Sequence, residues 1–275
     1  MKEALTFAEE SYARKDQSRG RGRGDPRNVP LATALRFRDL LDKARKAAGD
    51  TIYGERIDTI LSELQPREEL IAYYEEKENS LAALRKKAPL AAGVARADLS
   101  EANVYELRDN TTGEKTDRET TFRIGWDNNA LLLDIVCKEP DMASLPVAPN
   151  VRDGDHLAIS LETPDHSCYQ IDVSPDGVLV EGNPRPNWKS LADVKTERGP
   201  DFWRVRLRIP VVGSKEAQSD PNHRVAGAKP TKENPWFFNI VRKHTVPGEA
   251  DHLQAFSPTK SEAPLPAKFG KLEIP

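Results

Sequence analysis

Three arginines recur at every second position in Trp203-Arg204-Val205-Arg206-Leu207-Arg208-Ile209. In an extended chain that spacing sets all three on one face, opposite Trp203, Val205 and Leu207. A guanidinium is planar and permanently charged, so such a row suits a carboxylate-bearing ligand. His156, Ser160, Glu162, Gln170 and Asp172 hold the polar positions of two other alternating runs. If those strands adjoin, they form a wet face of both charge signs. That face is either a shallow anion site or a field of cross-strand ion pairs, each worth little. Trp188 stands in a polar loop with Arg185, Asn187 and Lys189. It either offers an aromatic platform or folds back over the edge of the protein. Asp153-Gly154-Asp155 offers oxygens to a hard cation such as calcium, without EF-hand spacing; the same residues suit a turn at a strand entry.

Catalytic signatures are missing: there is no G-x-S-x-G, no H-E-x-x-H, no P-loop and no G-x-G-x-x-G. Glu9-Glu10, Glu68-Glu69 and Glu75-Glu76 fall in helical segments and read as solvated faces. The chain is therefore read as non-enzymatic. Its net charge of -3 gives no pull toward nucleic acid. The basic run Arg19 to Gly24 lacks interleaved aromatics and reads as a surface loop rather than an RNA contact. No stretch approaches the ~18 apolar residues of a membrane span. Two cysteines, Cys137 and Cys168, make no disulfide framework or zinc site and read as buried thiols.

The elements that position these groups follow from periodicity. Phe122, Ile124 and Trp126, then Leu131, Leu133, Ile135 and Cys137, alternate with polar residues around the turn Asp127-Asn128-Asn129. Leu157, Ile159 and Leu161, and Tyr169, Ile171 and Val173, repeat the pattern, with Pro175-Asp176-Gly177 as the next turn. Period two over such lengths means half-buried strands. Trp236 to Val241 is apolar on both faces and reads as a central strand; Phe269 to Ile274 closes the sheet. Trp126, Trp203 and Trp236 are expected in the core. Residues 1–90 have helical spacing instead. Ala4, Leu5, Ala8 and Tyr12 suit one helix. Leu31, Leu35, Leu41 and Ala44 suit a second, stopped by Gly49-Asp50. Ile57, Ile60, Leu61 and Leu64 suit a third, and Leu70, Tyr74, Leu81 and Leu84 a fourth. The fold class expected is α+β: an N-terminal α-helical segment (1–90) followed by an antiparallel β-sandwich of jelly-roll type (91–275), with 88–100 a linker or a first strand.

The order of signals FRIGWDNNALLLDIVCKEPD, DGDHLAISLE, YQIDVSPDGVLVEG, FWRVRLRIPV, PWFFNIVRKH, AFSPT and FGKLEI carries a resemblance. Over roughly residues 95–275 it resembles the family 9 carbohydrate-binding module and the wider DOMON-like β-sandwich group. The helices before it look like the tail that follows a glycosidase-like barrel in bacterial polysaccharide-degrading proteins. The resemblance implies a non-catalytic module that binds an oligo- or polysaccharide, an upstream catalytic domain in the same polypeptide, and an extracytoplasmic address. The rival is a structural or protein-interaction module buttressing such a domain. Calcium is an ion the family carries, here near Asp153 and Asp155. Haem, which some relatives bind, would have only Met142 in the sandwich, with His156, His223, His244 and His252 as partners.

Carried over residue by residue, the family's two sugar-sandwiching tryptophans fall at Val151 or Arg152 and within Ser261 to Pro266, which holds no aromatic. The acidic sugar-binding position corresponds to Ala158, and the polar positions fall near Gln170 and Val241. The family arginine falls at Arg242, expected to pair inside the sandwich with Asp155. The carbohydrate-binding candidates are therefore Arg152, Gln170, Arg185, Trp188, Arg204 and Arg206.

Overall fold

The computed structural model describes residues 31–275 apart from 64, 144, 146–147, 149, 184–186, 214–223, 246–247 and 249. The helix expected around Ala4 to Tyr12, the run Arg19 to Gly24, and Leu64 and Arg185 lie outside the described residues. Two compact units emerge, Met1–Ala83 and Leu84–Pro275.

The described part of the first unit is helical. Helix α1 spans Leu31–Ala48, α2 Ile52–Glu63 and α3 Gln65–Lys86, whose last turn belongs to the second unit. Leu41 of α1 and Ile57 of α2 are buried. Arg45 ties the α1–α2 corner together, donating to Asp58 at 2.6 Å and to the Gly49 carbonyl at 2.8 Å. Gly49 ends α1 with φ +56°, the left-handed conformation that glycine adopts at no steric cost. A Cβ on Gly54 would stand 2.1 Å from the Gly49 oxygen, so only glycine lets α2 start so close.

The second unit is a two-layer sandwich. Among the described residues one sheet runs β1 (Leu90–Ala92), β14 (Gly270–Glu273), β12 (Trp236–His244), β6 (His156–Thr163), β7 (His166–Val173) and β8 (Leu179–Asn183). β13 (His252–Ala255) pairs with β12, and β3 (Arg108–Asp109) with β13. The other runs β11 (Val225–Ala226), β10 (Phe202–Val212), β5 (Ala130–Lys138), β4 (Thr120–Asp127) and β2 (Tyr105–Glu106), with β9 (Asp193–Arg198) also on β10. Pairing is antiparallel except for β1 with β14 and β10 with β11. Asn128 (φ 44°) and Asn129 (φ 55°) form the two-residue β4–β5 turn, and asparagine tolerates those angles. Gly177 (φ 81°) serves the β7–β8 turn.

The alternating apolar sets meet between the sheets. Trp203, Trp236, Phe122, Phe238 and Ile240 are buried there. Trp126 meets Trp236 edge-on at 5.8 Å, and Phe122 meets Phe238 edge-on at 5.9 Å. Edge-to-face packing suits the ring quadrupoles and fixes the distance between layers.

Candidate functional site

The outer face of the β12–β6–β7 sheet gathers polar groups over a small apolar floor. Leu157, Ile159 and Leu161 point inward, so Ala158 and Ser160 face out. Strand register aligns Ala255, Val241, Ala158 and Asp172 in one row across β13, β12, β6 and β7. Asn239, Ser160 and Gln170 form the next row. Ala158, Val241 and Ala255 make an apolar cluster separate from the core, with Leu253 against it. Asp172 is fully buried. Arg152, from a short 3-10 turn (Val151–Asp153), donates through Nε to Asp172 at 2.5 Å, and Gln170 donates through Nε2 at 3.0 Å. Lys243 borders the face, reaching the Arg152 carbonyl at 3.1 Å and Asp251 at 2.9 Å. Arg152 and Gln170 thus share one carboxylate, and Arg152 keeps half its side chain in water.

Cys168 lies on the same face. Burial pushes its thiol up to about 11, so it is protonated and inert at neutral pH. Burial likewise lifts Cys137, inside the core, to about 12. At the far end of the face the last turn of α3 contributes Arg85, whose guanidinium lies 3.9 Å from the Phe237 ring centre and 2.5 Å from Glu162.

Two expectations need correcting. Arg204 and Arg206 do not join Arg152 and Gln170. β10 pairs with β5 and β9, in the opposite sheet, so its wet face points away from that of β7. There Arg204 grips Asp134 through both Nε and Nη2, which holds the guanidinium above the usual arginine value. Trp188 is no platform. It is 1% exposed, tilted against Tyr169 at 5.2 Å, and its indole N–H donates to the Arg224 carbonyl at 3.0 Å. A partner for both its face and its polar edge draws the ring out of the polar loop.

A second cluster sits between the sheets at one end of the sandwich. Arg242 is fully buried. It donates to Asp155 at 2.9 and 3.3 Å, to Glu139 at 3.0 Å and to the Lys138 carbonyl at 2.8 Å, and lies 5.7 Å from the Trp203 ring centre. Burial raises the Asp155 carboxyl, with Arg242 pulling the other way. Burial also lowers His244, chiefly offset by Asp155. Neutral His244 donates through Nε2 to Glu139 at 2.8 Å. Glu139, Asp155 and His244 bring ligand atoms within 4.8 Å of one another. Arg242 already fills the cation position between the two carboxylates. Asp153 is exposed in its turn, whereas the Asp155 carboxylate faces inward onto Arg242.

Sequence reasoning missed Glu139 and took His244 only as a haem partner, although both continue the inward alternation of β5 and β12, because a polar side chain at the next inward position reads as the end of a buried run. Lys243 and Arg85 gave no signal at all, whereas Asp172 was visible as a polar strand position but not as a buried one.

No protein-family model matches the sequence, and no curated protein matches it. Solved structures do match. The fold is similar to a family 9 carbohydrate-binding module from Caldicellulosiruptor kristjanssonii in complex with cellotriose. The TM-score is 0.51 and the identity 15%, over 67% of this chain and 93% of that one. A family 9 module from the same organism in complex with glucose matches at TM-score 0.49 and 15% identity, over 68% of this chain and 95% of that one. The chain shares that family's sandwich fold with little of its sequence.

Proposed function

We propose that the Leu84–Pro275 unit is a non-catalytic carbohydrate-binding module of a polysaccharide-processing protein. The outer face around Asp172 is its contact surface. One observation carries this: the fold is similar to a module solved with cellotriose. The chemistry of the face supports it. Arg152 is neutralised by Asp172, and Gln170 adds a planar amide, so the cluster offers oriented donors and acceptors without net charge. That suits the hydroxyls of a neutral sugar.

Calorimetric titration of the whole chain with cellotriose, glucose and a panel of plant, algal and host glycans tests this. Binding should weaken at least about tenfold in an Arg152→Ala/Gln170→Ala variant, the size of one lost charge-assisted hydrogen bond. Silence across the neutral glycans would sink the reading.

A second reading has its own support. Among the described residues of the sandwich no aromatic side chain is exposed, whereas the first turn of α2 exposes Ile52 and Tyr53. A protein-interaction role for the helices would show as concentration-dependent self-association or capture of a partner domain, lost in Ile52→Ser/Tyr53→Ser.

A further inference from the structure

The outer face of the other sheet carries a different arrangement. Register places Lys195, Arg206, Asp134 and Arg123 in one row across β9, β10, β5 and β4. Strands lie about 4.8 Å apart, so the row spans roughly 14 Å. It holds three cations and one carboxylate. That carboxylate is claimed from the adjacent position by Arg204, in a two-pronged bond. Arg206 is left 3.9 Å from Asp134 and 3.6 Å from the half-exposed Glu197. Among the described residues Arg123 has no carboxylate partner and its buried Nε no hydrogen-bond acceptor. A guanidinium half-sunk in a sheet face with an empty donor is costly to keep unless something accepts from it. Glu197, half exposed, and Asp193 are the acids that β9 adds to this face.

We propose that the Lys195–Arg206–Arg123 row is a second binding site, for a linear saccharide bearing oxyanions, carboxylate or sulfate. Guanidinium forks match both groups through two parallel N–H donors. The saccharide half of this assignment rests on the reading above; the anion half rests on the row alone. The row lies on the opposite sheet from the Asp172 face, so one chain would hold a neutral and an acidic glycan at once.

The test is calorimetric titration of the full chain with four probes: a hexuronate oligosaccharide, a sulfated one, a neutral one of equal length, and a single-stranded oligonucleotide. An oxyanionic saccharide should bind and weaken as salt rises, and which of the two binds assigns the anion. Arg123→Gln/Arg206→Gln should weaken it at least about tenfold, as losing one charged hydrogen bond does. Asp134→Asn should strengthen it, because the competing carboxylate is gone; a purely structural row would not give a gain. Failure of both anionic probes, indifference to the double variant, or tighter binding of the oligonucleotide would overturn the proposal. If the neutral sugar still bound in that case, the Asp172 face would stand alone. If only an anionic sugar bound, the Asp172 face would fall and the row would remain.

Discussion

Arg242 and Arg204 make nearly the same bonds in very different surroundings. Each guanidinium spreads two nitrogens over an aspartate, Asp155 in one case and Asp134 in the other. Arg242 and Asp155 have no side-chain exposure, while Arg204 keeps 26% and Asp134 10%. The interior pair links elements of both sheets. Arg242 and His244 come from β12, and they meet Thr120 of β4, the Lys138 carbonyl of β5 and the Glu139 that follows it. The exterior pair links neighbouring strands of one sheet and leaves Arg206 half in water beside it. The shared two-pronged geometry does not set the two roles apart, and the exterior bonds are if anything the shorter; the access of water does. Inside, each charge has lost its hydration and depends on its partner, so the cluster holds the layers together. Outside, water and salt compete for every bond, so the same chemistry stays open to a ligand.

The sharpest way to break this comparison is to remove the interior cation. Arg242→Met keeps most of the volume and leaves Asp155 and Glu139 buried without their counter-charge. Urea denaturation should show a loss of about 3–5 kcal/mol, the usual result of orphaning a buried charge. A loss below about 1 kcal/mol would put the cluster in the same class as a surface pair, and the contrast would disappear.

Acid provides a gentler probe. His244 is held below its ordinary value of 6.5. Its contribution to stability is therefore complete above 6.5 and is lost as pH falls through the depressed folded value. Asp155 has the opposite sign. Its carboxyl is raised from 3.8, so its contribution is complete below 3.8 and is lost as pH rises through the folded value. As pH falls below 6.5 the His244 contribution is lost and draws the unfolding midpoint down, while the Asp155 contribution works the other way. His244→Gln should flatten that decline. Equal slopes in the two proteins would remove His244 from the account. Arg204 is held above the usual arginine value by Asp134 and stays charged throughout this window.

The strands were legible because one face of each is buried, which forces alternation; the β4–β5 turn was legible because asparagine accepts φ above zero. Pairing was not legible. Arg204 meets Asp134 across 70 positions, and nothing in β10 itself says that β5, and not β7, lies beside it. That single unknown put Arg204 and Arg206 on the wrong side of the sandwich. Trp188 failed for a related reason. Its charged neighbours suggested exposure, but its burial is decided by Tyr169 and by a carbonyl 36 positions further on. Arg242 could be matched to Asp155 because both stand where buried strands end or begin. Glu139 and His244 could not, since a polar residue at the next inward position reads as the end of a buried run and not as part of its interior. At Asp172 the alternation showed a polar position, but burial there depends on Arg152 folding over it from another segment.

The smallest effect discriminates best. A double-mutant cycle on Arg204→Gln and Asp134→Asn should return a coupling of about 0.2–1 kcal/mol, as measured for ion pairs that water still reaches. Added salt should shrink it further. The same cycle on Arg242 and Asp155 should give a larger coupling that salt hardly touches. Asp134 is the critical residue here, because it is far less exposed than the arginines around it. If its coupling to Arg204 exceeded about 2 kcal/mol and ignored salt, Asp134 would belong with the interior class. The cations of that row would then be scaffolding for a buried charge. The Arg123 Nε, without an acceptor among the described residues, would be strain in the sheet and not an opening for a ligand. A weak, salt-sensitive coupling has the reverse meaning: the pair can be reopened at little cost, as a surface that exchanges one oxyanion for another requires.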